Sequence, residues 1–414
     1  MPIAANKQSR WQPTPSFRRS AMRHTIKALM LAARLLVASA VFLPPLALAE
    51  ETTAAGQPPA TEQPSANSVS GYDMELITAS EMYYKLPRIN NSASLVWQAK
   101  IGDHFQILYI TASEETPRQL TNNALNNTDP RINDHDEIVW MGGDSKHSDI
   151  FLYSKGVVSQ LTANNLMNQH PKINNNGEVA WIAGVADSTG KVENYEVFHY
   201  AGGTITQVTN NNRFNVQVRI NDAGTLMWRG KGDTGFDIFT RTAGATTQIT
   251  TDAALDVNPQ LSSNGNMVWE RNDGKDDEVV LKLKQAPAPV QITSNGINDC
   301  EPQVNDQGTV VWQGVDGDHW QIFMYADGVT TKLTEGTLEN TEPRINDAGD
   351  VAWLVHDTDG AGIAVYQAAT KMIRKISGSY VGHYSQMVDL NNQGQVAWAG
   401  SNGKKFDILM ATPQ

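Results

Sequence analysis

Eight tryptophans, Trp97, Trp140, Trp181, Trp228, Trp269, Trp312, Trp353 and Trp398, recur at intervals of 43, 41, 47, 41, 43, 41 and 45 residues. No other feature constrains the fold of this chain so tightly. Each Trp closes a segment of one design, as in DPRINDHDEIVW at 129 to 140, HPKINNNGEVAW at 170 to 181 and EPQVNDQGTVVW at 301 to 312. Self-similarity at this period marks units that cannot bury their apolar faces alone and must stack on their neighbours.

Each unit holds four short apolar pieces: PRIN; the run ending in Trp; a piece such as DIFLY at 149 to 153; and one such as SQLT at 159 to 162. Runs of four or five residues rich in Val, Ile, Phe and Tyr, bounded by Gly, Asn and Asp, are strands and too short for helices. Four strands per unit of 40 to 45 residues predict an all-β, eight-bladed β-propeller of antiparallel blades. The last unit stops after its third strand, at 406 to 410, while ELIT at 75 to 78 precedes the first unit as a fourth strand without a blade. The N-terminal strand is therefore expected to complete the last blade and to leave no open edge there.

In the turns, Asn and Asp side chains cap the backbone and Gly supplies positive φ. Ala93 and Asp136 stand where the other units have Gly, so those two turns are expected to be of another type. Pro is read as the start of the innermost strand, where a missing N–H is tolerated. Trp is read as the filler between blades, its one N–H needing a partner.

Residues 1 to 49 carry seven Lys and Arg, no acid, an apolar run at 35 to 43 and ALA at 47 to 49, the layout of a signal peptide in which Met22 is an alternative start. Its removal would take the net charge from −12 to −12 − 7 = −19. So acidic a chain argues against nucleic acid and anionic lipid as partners. Cys300 is the only cysteine, which excludes an intrachain disulfide. Residues 50 to 70 read as a flexible tether and 71 to 414 as the propeller, exported to the periplasm or beyond and monomeric.

The layout P-x-I-N-D-x-G-x-V-x-W, followed by I-x-x-Y and Q-L-T, resembles the WD40-like repeat of the TolB-type β-propellers of bacteria over residues 75 to 410. The resemblance implies the propeller fold. It leaves function open, because that repeat serves binding scaffolds, peptidases and pectin-fragment lyases alike. TolB has six blades and a separate α/β domain, so its own role is not carried over.

The longer connections, from second to third strand and from fourth to first, share one face, which is the candidate binding surface. On it stand His104, His147 and His319 with Trp320 beside the last, the aromatic pairs Tyr83–Tyr84 and His383–Tyr384, and His170, Tyr195 and Phe214. Three histidines fit zinc in number but lie on blades too far apart to converge. Asp-rich turns at Asp273, Asp276, Asp277, Asp316, Asp318, Asp357 and Asp359 fit Ca2+ only weakly, since no full calcium-loop pattern occurs. Arg88, Arg131, Lys172, Arg219 and Arg344 follow the first-strand position of Pro and are placed near the central channel. They are expected either to focus an anionic ligand or to pair within the blade, Arg131 with Asp149, Lys172 with Glu196 and Arg219 with Asp237.

GxSxG and HExxH are both absent. The expectation is a non-catalytic scaffold binding a protein or glycan on the long-loop face, its rim raised by the extension at 185 to 194. The alternative is a lyase of acidic sugars, with His104, His147 or His170 near Arg88 and Arg131.

Overall fold

Buried Trp side chains sit between consecutive repeat units, each against the unit before its own. Trp140 packs on Val96 and Ile107, Trp181 on Val139 and Ile150, and Trp228 on Ala180 and Val197. Trp97, in the first unit, packs on Ala397, Ala399 and Ile408 of the last. All eight indoles are buried, and losing one to Ala would cost about 3–5 kcal/mol. Four stack at 5.8 Å on a third-strand Phe: Trp140 on Phe151, Trp181 on Phe198, Trp228 on Phe239 and Trp312 on Phe323.

The computed structural model describes residues 67–69, 71–78, 82–144, 146–184, 191–211, 213–272, 274–357, 360–377, 381–382, 388–401 and 406–414. The expected signal peptide, most of the tether, His383, Tyr384, Asp273, Asp359 and the first six residues of the 185 to 194 extension lie outside them. The described residues are all-β, with no helix. Four sheets have four antiparallel strands each; two further sheets have eight and ten strands, and none is closed. The larger sheets arise where neighbouring units touch edge to edge, through Met167 and Ser148 in one and Gly382 and Ala361 in the other. Asn67–Val69, which the sequence places in the tether, forms a strand on Tyr72–Leu76.

Tyr72–Leu76 pairs with the C-terminal strand Phe406–Pro413 in the register Tyr72↔Pro413 to Leu76↔Leu409. Just beyond it, Thr78 Oγ1 accepts the Ile408 N–H at 2.9 Å and donates to Asp407 Oδ1 at 3.3 Å. Thr162 does the same for Ile150 and Asp149, and Thr250 for Ile238 and Asp237. The N-terminal segment thus makes the bonds that a fourth strand makes elsewhere.

The expectation of a different turn at Ala93 and Asp136 is corrected. Ala93 N–H reaches Asn90 O at 3.1 Å and Asp136 N–H reaches Asn133 O at 3.2 Å, as Gly177 reaches Asn174. Both residues hold the left-handed conformation, φ 60° and 59°, that Gly holds in the other units. Pro does not begin the innermost strand either: Pro87 lies inside Tyr83–Ile89.

Candidate functional site

In seven units the innermost strand slips register by one residue beside the proline position, as between Thr128 and Arg131 or Gln169 and Lys172. The residue inside each bulge is left-handed: Leu86, Asp129, His170, Gln217, Asn258, Glu301 and Glu342, with φ between 52° and 57°. Such a backbone costs a non-glycine residue about 1–2 kcal/mol, and strain of this kind concentrates at functional sites. It is compensated across the unit boundary. The N–H of Asp129 donates to Gln98 Oε1 at 3.0 Å, that of Glu301 to Glu270 Oε1 at 2.6 Å, and that of Glu342 to Gln313 Oε1 at 2.8 Å. The donors' partners all occupy the place just after the unit's Trp.

Two residues beyond the bulge come Arg88, Arg131, Lys172, Arg219 and Arg344, which face one another along one channel. Burial first, and then Arg131 beside it, push Arg88 down to about 10; Arg219 is lowered to about 10 by the same causes in the same order. Burial and then Arg131 drive Lys172 well below the usual lysine range. Asp129 goes the other way: burial works to raise it, but Arg131, Lys172 and His170 outweigh burial and hold its carboxyl well below the ordinary range. Arg131 Nη2 lies 2.8 Å from Asp129 Oδ1, and His170 Nδ1 3.3 Å from Asp129 Oδ2. The expected in-blade pairs do not form. Asp149 and Asp237 instead accept fourth-strand Thr and Gln side chains, and Glu196 accepts Asn211 N–H. The bulge supplies the reason, since one extra residue brings the Asp129 carboxylate, two positions before Arg131, within reach of its guanidinium.

Lys172 and Arg344 donate to the carbonyls of Pro171 and Pro343, and Arg219 Nε to Gln260 Oε1 at 3.0 Å. Carboxylates also act on them: Asp129 on Lys172, Glu301 and Asp129 on Arg219, while Arg344 acts on Glu342, so both signs of charge meet in the channel. Past the cations, at the tight-turn end, the channel opens into a cavity of about 330 Å³ lined by turn residues such as Asn90, Asp134, Asn174, Asp222, Asp347 and Asn391. Asn90, Asn133 and Asn174 each donate Nδ2 to the equivalent carbonyl of the following unit, at 2.9 Å in all three cases.

Other candidates from the sequence scatter. Tyr84 and Tyr195 are buried, not offered to solvent: Tyr84 belongs to the Trp97 core, and the Tyr195 hydroxyl donates to Gln169 Oε1 at 3.0 Å. Tyr83 meets Phe406 edge to face, and Phe214 does the same with Tyr195 and Phe236. His147 is exposed, with its N–H on Asp144 Oδ1; His319 Nδ1 lies 3.0 Å from Glu339 Oε1, whose Oε2 accepts the Trp320 N–H. Asp316 is bonded by Lys332 and Asp277 by Asn272. No group of three or more metal-ligating side chains occurs among the described residues.

Two features escaped sequence reasoning. The bulge residues have no common side chain, so only their shared place before the Pro position marked them. The Trp partner was legible: in six units Asn or Asp stands 13 residues before Trp and accepts its Nε1–H, from Asn127 with Trp140 to Asn340 with Trp353.

No family model matches the chain, and no curated protein matches it. Solved structures do match, and the class they and the sheets define is an all-β propeller protein. Dipeptidyl peptidase 4 of Porphyromonas gingivalis superposes with a TM-score of 0.56 at 10% identity, over 76% of this chain and 57% of that one. A puromycin-hydrolyzing peptidase of Mycobacterium tuberculosis gives 0.53 at 10% identity, over 82% and 60%. TolB of Acinetobacter baumannii gives 0.39 at 9% identity, over 68% and 78%, too loose a match to carry the TolB-type assignment. The chain spans less than two thirds of the two peptidases, and at these identities the likeness is one of fold. The expectations of a non-catalytic protein- or glycan-binding scaffold and of an acidic-sugar lyase are corrected by this finding: the structures that superpose above a TM-score of 0.5 include peptidases and puromycin hydrolase.

Proposed function

We propose that this chain is the β-propeller of an exported peptidase system, eight-bladed and closed by its N-terminal strand, and that its channel admits short charged peptides. The closed ring is supported by Tyr72–Leu76 on the C-terminal strand, by Trp97 packed on the last unit, and by Asn391 donating to Asn90. Export is supported by the basic and apolar N-terminal residues alone. Peptide cleavage is the activity assigned to that system as a whole. The propeller's part is to select and orient.

The observation that carries this reading is the mixed-charge channel. Five basic side chains stand two residues beyond a tier of strained residues that includes the carboxylates Asp129, Glu301 and Glu342. A zwitterionic peptide can meet both signs of charge there, in a setting where burial strengthens electrostatic attraction. Titration calorimetry with an unblocked tripeptide, its N-acetylated amide and trigalacturonate tests the idea. The unblocked peptide is expected to bind at low salt, the blocked one about tenfold or more weaker, which is about 1.4 kcal/mol. Arg131→Gln with Lys172→Gln should remove the difference. Binding of trigalacturonate with none of the peptide would refute the proposal.

A further inference from the structure

Arg229 is a cation held against an aromatic ring. It follows Trp228, the place from which Gln98, Glu270 and Gln313 reach the bulge of the next unit. Its guanidinium lies over the Phe236 ring, 3.9 Å from the centroid, and its Nε is buried with no hydrogen-bond partner. Among the described residues it forms no ion pair. The carboxylate it senses is Glu270, whose Oε1 already takes the Glu301 N–H at 2.6 Å and Asn258 Nδ2 at 3.1 Å. Lys231, on the same face of the same strand, places Nζ 5.1 Å from the same ring centroid. The nearby acids are engaged: Asp233 pairs with Arg213 at 2.8 Å, and Asp237 accepts Gln248 and Thr250. Phe236 continues through Phe214 to Tyr195 in edge-to-face contacts of 5.9 Å.

A guanidinium stacked on a ring suits a planar oxyanion, which its outer N–H groups can meet in parallel. The adjoining aromatic edges suit an apolar group two or three bonds from that anion. We propose that Arg229 and Lys231, backed by Phe236 and Phe214, form a carboxylate subsite that takes the C-terminal carboxylate of a peptide ending in an aromatic residue. The peptide part rests on the function proposed above; the carboxylate part does not.

The test uses the full chain and four probes: phenylacetate, phenylacetamide, Gly-Gly-Phe and Gly-Gly-Phe amide. Phenylacetate and Gly-Gly-Phe are expected to bind at least tenfold more tightly than their amides, and Arg229→Gln to erase that preference with no loss of melting temperature. Phe236→Leu, which removes the stacking and keeps the charge, should weaken both acids several-fold, so that a misfolded Arg229 variant would not decide the matter alone. Phenylacetate bound through Arg229 while Gly-Gly-Phe fails to bind would uphold the subsite and sink the peptide reading. Gly-Gly-Phe bound equally by wild type and Arg229→Gln would overturn the subsite and spare that reading. No binding of either acid overturns both.

Discussion

Asn391 Nδ2 donates to the backbone oxygen of Asn90 at 2.9 Å, joining turns 301 residues apart. It is one link of a belt. Asn90 donates to Asn133 O, Asn133 to Asn174 O, Asn174 to Asn221 O, Asn305 to Asn346 O and Asn346 to Asn391 O, all at 2.9 or 3.0 Å. Where the repeat has Ser262, Asn266 takes over and donates to Asn305 O at 3.2 Å. Each Asn also accepts its own turn's N–H groups, as Asn391 Oδ1 does from Gln393 and Gln395. One side chain therefore both shapes its turn and ties it to the next.

Asn391→Ala should cost about 1–3 kcal/mol, because it strips two turn N–H groups of their acceptor and takes from the Asn90 carbonyl one of its two donors. Urea unfolding followed by tryptophan fluorescence measures it. A cost no larger than that of an exposed substitution would mean that the belt contributes nothing to stability.

Ala93 holds φ 60° in a turn where six of the other units use Gly. Ala93→Gly is expected to stabilise the protein by about 0.5–1 kcal/mol by relieving the left-handed strain. Asp136→Gly should gain less, since the Asp136 carboxylate accepts Asn90 Nδ2 at 2.8 Å and that bond would go. Equal gains in melting temperature would contradict the role given to that carboxylate.

Burial pushes Asp299 up to about 6, although Asn295 and Trp312 donate to it. Between its ordinary value of 3.8 and about 6 the folded state binds the proton more tightly than the unfolded state. That contribution is full below pH about 4 and is lost as pH rises through about 6, a swing of roughly 1–3 kcal/mol. Asn occupies the equivalent place at 127, 168, 215 and 340. Asp299→Asn should therefore raise stability at pH 7.5 and flatten the profile from pH 4 to 7; Asp407, also raised to about 6, leaves a residual slope of the same sign. Denaturant melts across that range would show an unchanged slope if burial of Asp299 were not its cause.

Trp140 donates Nε1–H to Asn127 at 3.0 Å, while Trp97 Nε1 is buried without a partner because Tyr84 stands 13 residues before it. Trp140→Phe should thus cost about 1 kcal/mol more than Trp97→Phe, both losing similar volume. Equal costs by thermal unfolding would show that the indole bond has no net value here.

The sequence determined by itself the all-β propeller class, the place of each Trp and turn Asn, and the fourth-strand character of residues 75 to 78. Those follow from local chemistry repeated at a fixed period: turn residues, strand lengths and one large apolar side chain per unit. Tertiary structure decided what each side chain meets. The bulge brings Asp129, not Asp149, to Arg131. It also leaves Lys172, Arg219 and Arg344 on neutral oxygens in a shared channel. Tyr84 and Tyr195, read as loop aromatics, are covered by neighbouring strands. Arg229 gains its meaning only from Phe236 above it and from a Glu270 engaged elsewhere. A one-residue slip in a strand reverses which face a side chain takes, and residues of no common type carry that slip here, so spacing alone could not reveal it.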